Sequence, residues 1–215
     1  SFVVIGDKKT PEAVGPYCKG LEEKYNLPVE YYDVPGQITY LQKFPELAAY
    51  LPYNSVQRRN IGMLRAYELG SEVIITVDDD NYIREPNILR GHDVVGKVVE
   101  TAGVSSSQGW FDPCIFLTEK QGIPFCHRGF PRSQKGNFGK TTWGTLKGRI
   151  VVNVGLWLGD PDVDAWARMT HTLEAIAWTR EENFVLADGT WSPFNSQQTA
   201  LARELLPAYF LNPNA

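Results

Sequence analysis

Residues 72–81 read EVIITVDDDN, a β-branched run that ends in three adjacent carboxylates, Asp78, Asp79 and Asp80. The run has the length and branching of a buried strand. Three like charges at its end resist ionising together unless a cation stands among them. One reading of so short a motif is a solvated acidic turn. The other is a hard divalent cation, Mn²⁺ or Mg²⁺, which takes oxygen ligands and shares them with substrate phosphates. Alternation along an extended segment turns Asp78 and Asp80 to one side, toward such an ion, and Asp79 to the other.

The segments around this strand repeat one theme. Phe2 to Ile5 is a short strand closed by Gly6-Asp7, and Pro11 opens a helix with Thr10 as its expected N-cap. A second strand over Val29 to Asp33 also ends in an acid, and Asn54 to Gly70 carries helical spacing with Gly70 as its stop. Alternating strands and helices predict an α/β fold whose ligands gather at the carboxyl ends of the strands, so Asp7 is a further candidate for the nucleoside. Residues 36–53 give no clear pattern. His92 to Ala102 fits a helix or a strand, and 103–148 reads as long loops. A buried strand over Arg149 to Trp157, a helix contained within Pro161 to Trp178 and begun near Asp162, and a last helix over Gln197 to Leu206 complete the expectation. Without a linker or repeat, 1–215 reads as a single domain.

Composition narrows the function. The chain has 215 residues, 43% of them hydrophobic, and 21 basic against 25 acidic side chains for a net charge of −4. That gives no basic field for nucleic acid, so any phosphate must be met by local groups. No run reaches the about eighteen apolar residues of a membrane span. Three cysteines without metal-ligand spacing suit a reducing compartment, which makes the cytoplasm the default. Ser1 in place of Met leaves room for a removed upstream segment. His92, His127 and His171 have no ligand spacing either. Trp110, Trp143, Trp157 and Trp191 could stack on a base or sugar, and packing explains each of them as well.

In RRNIGMLRAYELGSEVIITVDDDN, Arg58, Arg59 and Asn60 open a helix that carries Gly62, Ala66 and Gly70 and precedes the acids. This resembles the nucleotide-binding half of GT-A glycosyltransferases, where an Arg-Asn-x-Gly helix with a later Ala-x-x-Gly precedes the aspartate motif. Guanidinium groups and a helix start favour anions, and a metal neutralises a departing diphosphate. Two rival motifs fail on residues: a haloacid-dehalogenase-like site lacks its second acid in GDKKT, and no phosphate-binding P-loop occurs.

The islands HRGFPRS (127–133), NVGLWLGDPDVDA (153–165) and DGTWSPFNSQQTALARELLPAYF (188–210) follow in order. They look like the reversibly glycosylated polypeptides, the plant UDP-arabinopyranose mutase family, and GLWLGDPDVDA is the most specific of them. The opening VVIGDKKTP and PYNSVQRRNIG look more like the related STELLO-type proteins. After Pro193 the chain reads FNSQQ and departs from the mutases' Met-Cys-Gly-Met-Asn pattern.

The resemblance implies a single GT-A, Rossmann-like domain with a mixed, mostly parallel sheet flanked by helices. Residues 1–102 form its nucleotide-binding half and 103–215 its acceptor and sugar half. It implies a metal-dependent glycosyltransferase that takes a nucleotide-diphosphate sugar, a UDP-sugar first, to an unknown acceptor. Alternatives are a pyranose/furanose mutase and a non-catalytic nucleotide-sugar-binding partner protein, and self-association stays open. Expected nucleotide-sugar contacts are Asp7, Arg58, Arg59, Asn60, Asp78 and Asp79, with Asp78 and Asp80 on Mn²⁺ or Mg²⁺. Arg128 falls on the family's arginine and would stabilise charge, since a guanidinium stays protonated. Asp162 and Asp164 are the retained acids, one of which would serve an acceptor hydroxyl, and Asp162 is equally an N-cap.

Overall fold

A computed structural model describes residues 1–84, 86–136, 139–180, 182–209 and 211. The chain forms two compact units, residues 1–74 with 202–215 and residues 75–201. Among the described residues no helix is long and apolar enough to cross a membrane.

The first unit starts with β1 (Phe2–Ile5), α1 (Val14–Tyr25) and β2 (Val29–Tyr32), and the two strands pair in parallel from Phe2↔Val29 to Ile5↔Tyr32. The helix begins three residues later than expected because the Thr10 hydroxyl accepts the Asp7 N–H at 2.8 Å and closes a turn instead of capping. The unassigned stretch folds as two short helices, α2 (Val34–Leu41) and α3 (Pro45–Tyr50). Asp33 caps α2 by accepting the Gly36 N–H at 2.7 Å, and Pro35 sits in the first turn, where its missing N–H costs nothing. A 3₁₀ turn at Val56–Arg58 leads into α4 (Arg59–Glu68). Gly62 lets that helix lie against β1, since a Cβ there would stand 3.2 Å from Ile5. Tyr40, Leu41, Leu51 and Ile61 form the buried core, with Ile5, Tyr32 and Leu64 packed on it.

The chain leaves this unit within β3 (Val73–Val77), and the short α5 (Ile88–Gly91) follows. Next come β4 (Val98–Ser106), β5 (Leu117–Glu119), β6 (Thr141–Arg149) and β7 (Val152–Val154). The remaining elements are α6 (Ala165–Thr170), β8 (Ala175–Trp178), β9 (Phe184–Leu186) and β10 (Gln198–Ala202). Strands are grouped as β3–β10–β7, β6–β4–β9 and β5–β8. The fold is therefore mixed α and β, but its sheets are small. The pairs β10·β7, β4·β6 and β5·β8 are antiparallel and β1·β2 and β4·β9 parallel, which does not bear out one mostly parallel sheet.

Two local expectations change for identifiable reasons, and a third is sharpened. The expected last helix divides into strand β10, where Thr199, Ala200, Leu201 and Ala202 are at most 1% exposed, and a 3₁₀ helix at Arg203–Ala208; a run buried on all sides carries no period that separates helix from strand. The helix expected within Pro161 to Trp178 is α6, which ends at Thr170, and Ala175–Trp178 pairs with β5. The loops of 103–148 contain β6, whose Gly, Thr and Lys content hides a nine-residue strand. Phe111, Phe116, Trp143 and Phe184 pack edge to face around 6 Å apart, and Arg180 lies 4.2 Å over Trp143.

Candidate functional site

The sequence candidates divide between the units. Asp7, Arg58, Arg59 and Asn60 belong to the first; Asp78, Asp79, Asp80, Arg128, Asp162 and Asp164 belong to the second. In the first unit most of these side chains already hold protein groups. The Asp7 carboxylate accepts N–H groups from Lys8 at 2.7 Å and Asn54 at 2.6 Å, which pins the turn after β1 to the segment before α4. Arg58 is buried and donates to Gln37 Oε1 through Nε at 3.0 Å and again through Nη2, and to the Leu51 carbonyl. Gln37, fully buried, carries the link on to the carbonyls of Gly6 and Tyr32 at 2.5 and 2.8 Å. Asn60 exchanges two hydrogen bonds with the Leu211 main chain, at 2.9 and 3.0 Å. Arg59, half-buried, begins α4. Arg58 and Asn60 thus hold the unit together, a role that their motif does not distinguish from ligand binding.

In the second unit the three sequence islands and the acidic end of β3 meet. The segments 126–128 and 162–164 run antiparallel, with the Arg128 N–H donating to the Asp162 carbonyl and the Asp164 N–H to the Cys126 carbonyl, both at 3.0 Å. That short ladder sets Arg128 Nε 3.0 Å from Asp162 Oδ1. The other carboxylate oxygen accepts Asn195 Nδ2 at 2.9 Å, and the same amide nitrogen donates to Gln197 Oε1 at 3.0 Å. Gln197 Oε1 also accepts the Trp157 indole N–H, and the Trp157 ring lies 5.4 Å from that of His127. The Gln197 carbonyl receives the Asp78 N–H and Asn81 Nδ2, each at 3.2 Å. A continuous polar chain therefore runs from the end of β3 through Gln197 and Asn195 to Asp162 and Arg128.

The three aspartates do not continue the strand. β3 ends at Val77; Asp79 and Asp80 lie in a turn closed by the Asn81 N–H on the Asp78 carbonyl, so strand alternation does not decide which way Asp80 points. Asp78 is half-buried, and Asp79 and Asp80 are exposed. Among the described residues no group of three or more His, Cys, Asp or Glu side chains is placed to hold a metal ion. One or two carboxylates together with substrate phosphate oxygens are the usual way in which Mg²⁺ is bound, without an all-protein cage.

Arg128 and Asp162 differ sharply in exposure. The arginine side chain is 67% exposed and the aspartate 8%, so a buried carboxylate anchors a cation that faces water. Asp164 does something else: its Oδ1 accepts the N–H groups of Trp166 and Ala167 at 3.1 and 3.3 Å and pairs with Lys135 Nζ at 2.6 Å. The N-cap weighed for Asp162 is Asp164, two residues on. Burial pushes the Asp164 carboxyl upward, but Lys135 and the backbone donors outweigh it and hold the group below its ordinary value.

Sequence reasoning missed three residues of this cluster, Asp112, Asn195 and Gln197. Asp112 is 2% exposed and accepts N–H groups from Cys114 at 3.0 Å and His127 at 3.2 Å, fixing the segment that presents Arg128. Burial, with Asp112 adding to it, pushes the Cys126 thiol up to about 12 and Cys114 further still, so both are inert small hydrophobes. His127 is 1% exposed, and its Nδ1 stands 2.7 Å from the Arg128 carbonyl, which makes that nitrogen the protonated one. Asn195 and Gln197 lie in FNSQQ, the stretch that departs from the resembled pattern, so motif matching passed over them. No protein-family model matches this chain, and no curated protein matches it.

Proposed function

We propose that the chain is a GT-A-type glycosyltransferase that takes a nucleotide-diphosphate sugar, a UDP-sugar first, to an acceptor. The observation that carries this reading is the polar chain that links Asp78 at the end of a strand to the exposed guanidinium of Arg128. A diphosphate needs positive charge at both ends of its leaving path. Asp78 and Asp80 would hold Mn²⁺ or Mg²⁺, which, when bound, neutralises charge on the phosphate oxygens. Arg128 supplies the second cation, offered to solvent on a rigid anchor. Asp162 acts through Arg128: it fixes the guanidinium and keeps its own charge compensated by Asn195. Asp164 supports the same region by capping α6.

Calorimetric titration with UDP, with and without Mn²⁺, tests the reading. Metal-dependent binding that Asp80→Ala removes is the expected result. Binding indifferent to both the metal and the substitution would overturn it. Incubation with UDP-sugars and Mn²⁺ but no acceptor separates the mutase alternative, because a ring-isomerised UDP-sugar among the products would replace transfer by isomerisation.

A further inference from the structure

His92 closes the C-terminal end of α5 and is 4% exposed. Asn153, the middle residue of β7, meets it there: its Nδ2 donates to the Gly91 carbonyl at 2.5 Å and stands 3.2 Å from His92 Nδ1. The Gly91 contact fixes the amide, because turning it over would press its oxygen against a carbonyl oxygen. Asn153 can therefore only donate to His92, so Nδ1 is the acceptor and the ring proton sits on Nε2. That nitrogen is buried and meets no partner among the described residues.

A neutral ring suits this place and an imidazolium does not. Protonation would set a second N–H against the Asn153 amide and put a charge in a buried site. The elements around His92 do not offset that charge. β7 brings Val152 and Val154 beside Asn153, and β10 brings Ala200 opposite it. Asp93, the chain neighbour, is 73% exposed and pairs with Lys97 at 2.7 Å. Arg90 on α5 and Arg149, whose Nε donates to the Gly96 carbonyl at 3.2 Å, are themselves cations. Burial accordingly pushes the ring below the ordinary histidine value.

We propose that His92 and Asn153 form an acid-sensitive latch: the neutral ring keeps α5 docked on β7, and protonation releases it. To be hydrated the charged ring must swing out, which carries Gly91, its chain neighbour, off the same amide. The chain beyond stays fixed, since Val95 bridges Ile150 and the Gly96 N–H donates to the Ile150 carbonyl at 2.7 Å. Before α5, Asn81 is held on the Gln197 carbonyl. Opening is therefore local, and it falls on the first helix after the three aspartates. The latch sets whether that helix is docked, whatever ligand the aspartates meet.

Hydrogen exchange of the intact chain, corrected for the intrinsic effect of pH, tests the latch at the Arg90 and His92 amides, which donate to the Asn87 and Leu89 carbonyls. Protection is expected at neutral pH, where the ring is neutral docked or released. Below the ordinary histidine value, about 6.5, only the released form takes up the proton. The opening equilibrium should then rise by up to about tenfold per pH unit until the lowered docked value is reached. His92→Gln keeps an acceptor for Asn153 and cannot titrate, so it should abolish this acid step. Should that variant misfold, the wild type decides by itself: the His92 ring, one of three histidines, should titrate below the ordinary value by proton magnetic resonance and in step with the loss of protection. Protection indifferent to pH overturns the proposal. So does an acid step that survives His92→Gln or that occurs without titration of His92.

Discussion

Two arginines that look alike in the sequence end in opposite situations. Arg58 and Arg128 both stand in short polar motifs expected to meet a diphosphate. Arg58 is 5% exposed, its fork is occupied by Gln37 and the Leu51 carbonyl, and its plane lies 4.4 Å over Tyr53. Arg128 touches Asp162 through Nε and keeps 67% of its side chain in water. A guanidinium surrounded by protein acceptors organises the fold, because detaching it would strand buried oxygens. One anchored at a single point can still turn its remaining donors toward an anion. The contrast assigns the first to stability and, on the proposed function, the second to recognition, and four substitutions test it through their effect on stability.

The largest loss should come from Gln37→Ala. That change strands the Gly6 carbonyl and the two Arg58 donors that meet Gln37, all of them in contact with a residue at 0% exposure, while the Tyr32 carbonyl keeps the Gly6 N–H. A loss of about 3–4 kcal/mol is expected from several buried groups left unsatisfied. Urea unfolding measures it, and a loss near zero would remove Arg58 from the structural side of the comparison. Asp162→Ala should cost less, about 2 kcal/mol, since Asn195 loses a partner but the exposed Arg128 is rehydrated. The same measurement serves, and a cost equal to that of Gln37→Ala would show the two networks to be alike.

How far the sequence reveals all this depends on what each element uses for its definition. The strands β1, β2 and β3 are legible because β-branched runs closed by Gly, Asp or Pro carry their own boundaries. β10 is not legible, because a segment buried on every side shows no period. The islands around Arg128 and Asp162 are legible as motifs, and they do meet. Their supports are not: Asn195 and Gln197 matter through an amide placed by the chain's return to β10, and Asp112 through two backbone N–H groups fifteen or fewer residues away. Amides and N-cap acids have no spacing rule that separates them from ordinary loop residues. The same limit explains Asp164, where the sequence offers two acids two residues apart and only the start of α6 decides between them.

Asp164→Ala tests that decision at the next smaller scale. Loss of an N-cap costs about 1–2 kcal/mol. The effect should depend on pH in a defined direction. Asp164 has its carboxyl held below the ordinary value in the folded chain, so its contribution is complete above the ordinary carboxylate range and fades as pH falls through the lowered folded value. The wild type and the variant should therefore differ most in unfolding midpoint near neutral pH and converge in acid. A difference that persists undiminished in strong acid would move the cap's contribution away from the charged carboxylate.

The smallest change in stability, and the one that sharpens the comparison most, belongs to Arg128→Gln. An ion pair with one partner 67% exposed contributes less than about 1 kcal/mol, because water competes for the cation. Glutamine keeps a polar group beside Asp162, and Asn195 continues to hold the other carboxylate oxygen, so the unfolding midpoint should scarcely move. UDP binding in the presence of Mn²⁺ should nevertheless fall, since glutamine offers neither the charge nor the fork that a phosphate engages. Restoring charge without the fork, in Arg128→Lys, should recover part of the lost affinity and separate the electrostatic share from the geometric one. A variant that binds UDP normally while unfolding early would reverse the assignment and make Arg128 a second Arg58.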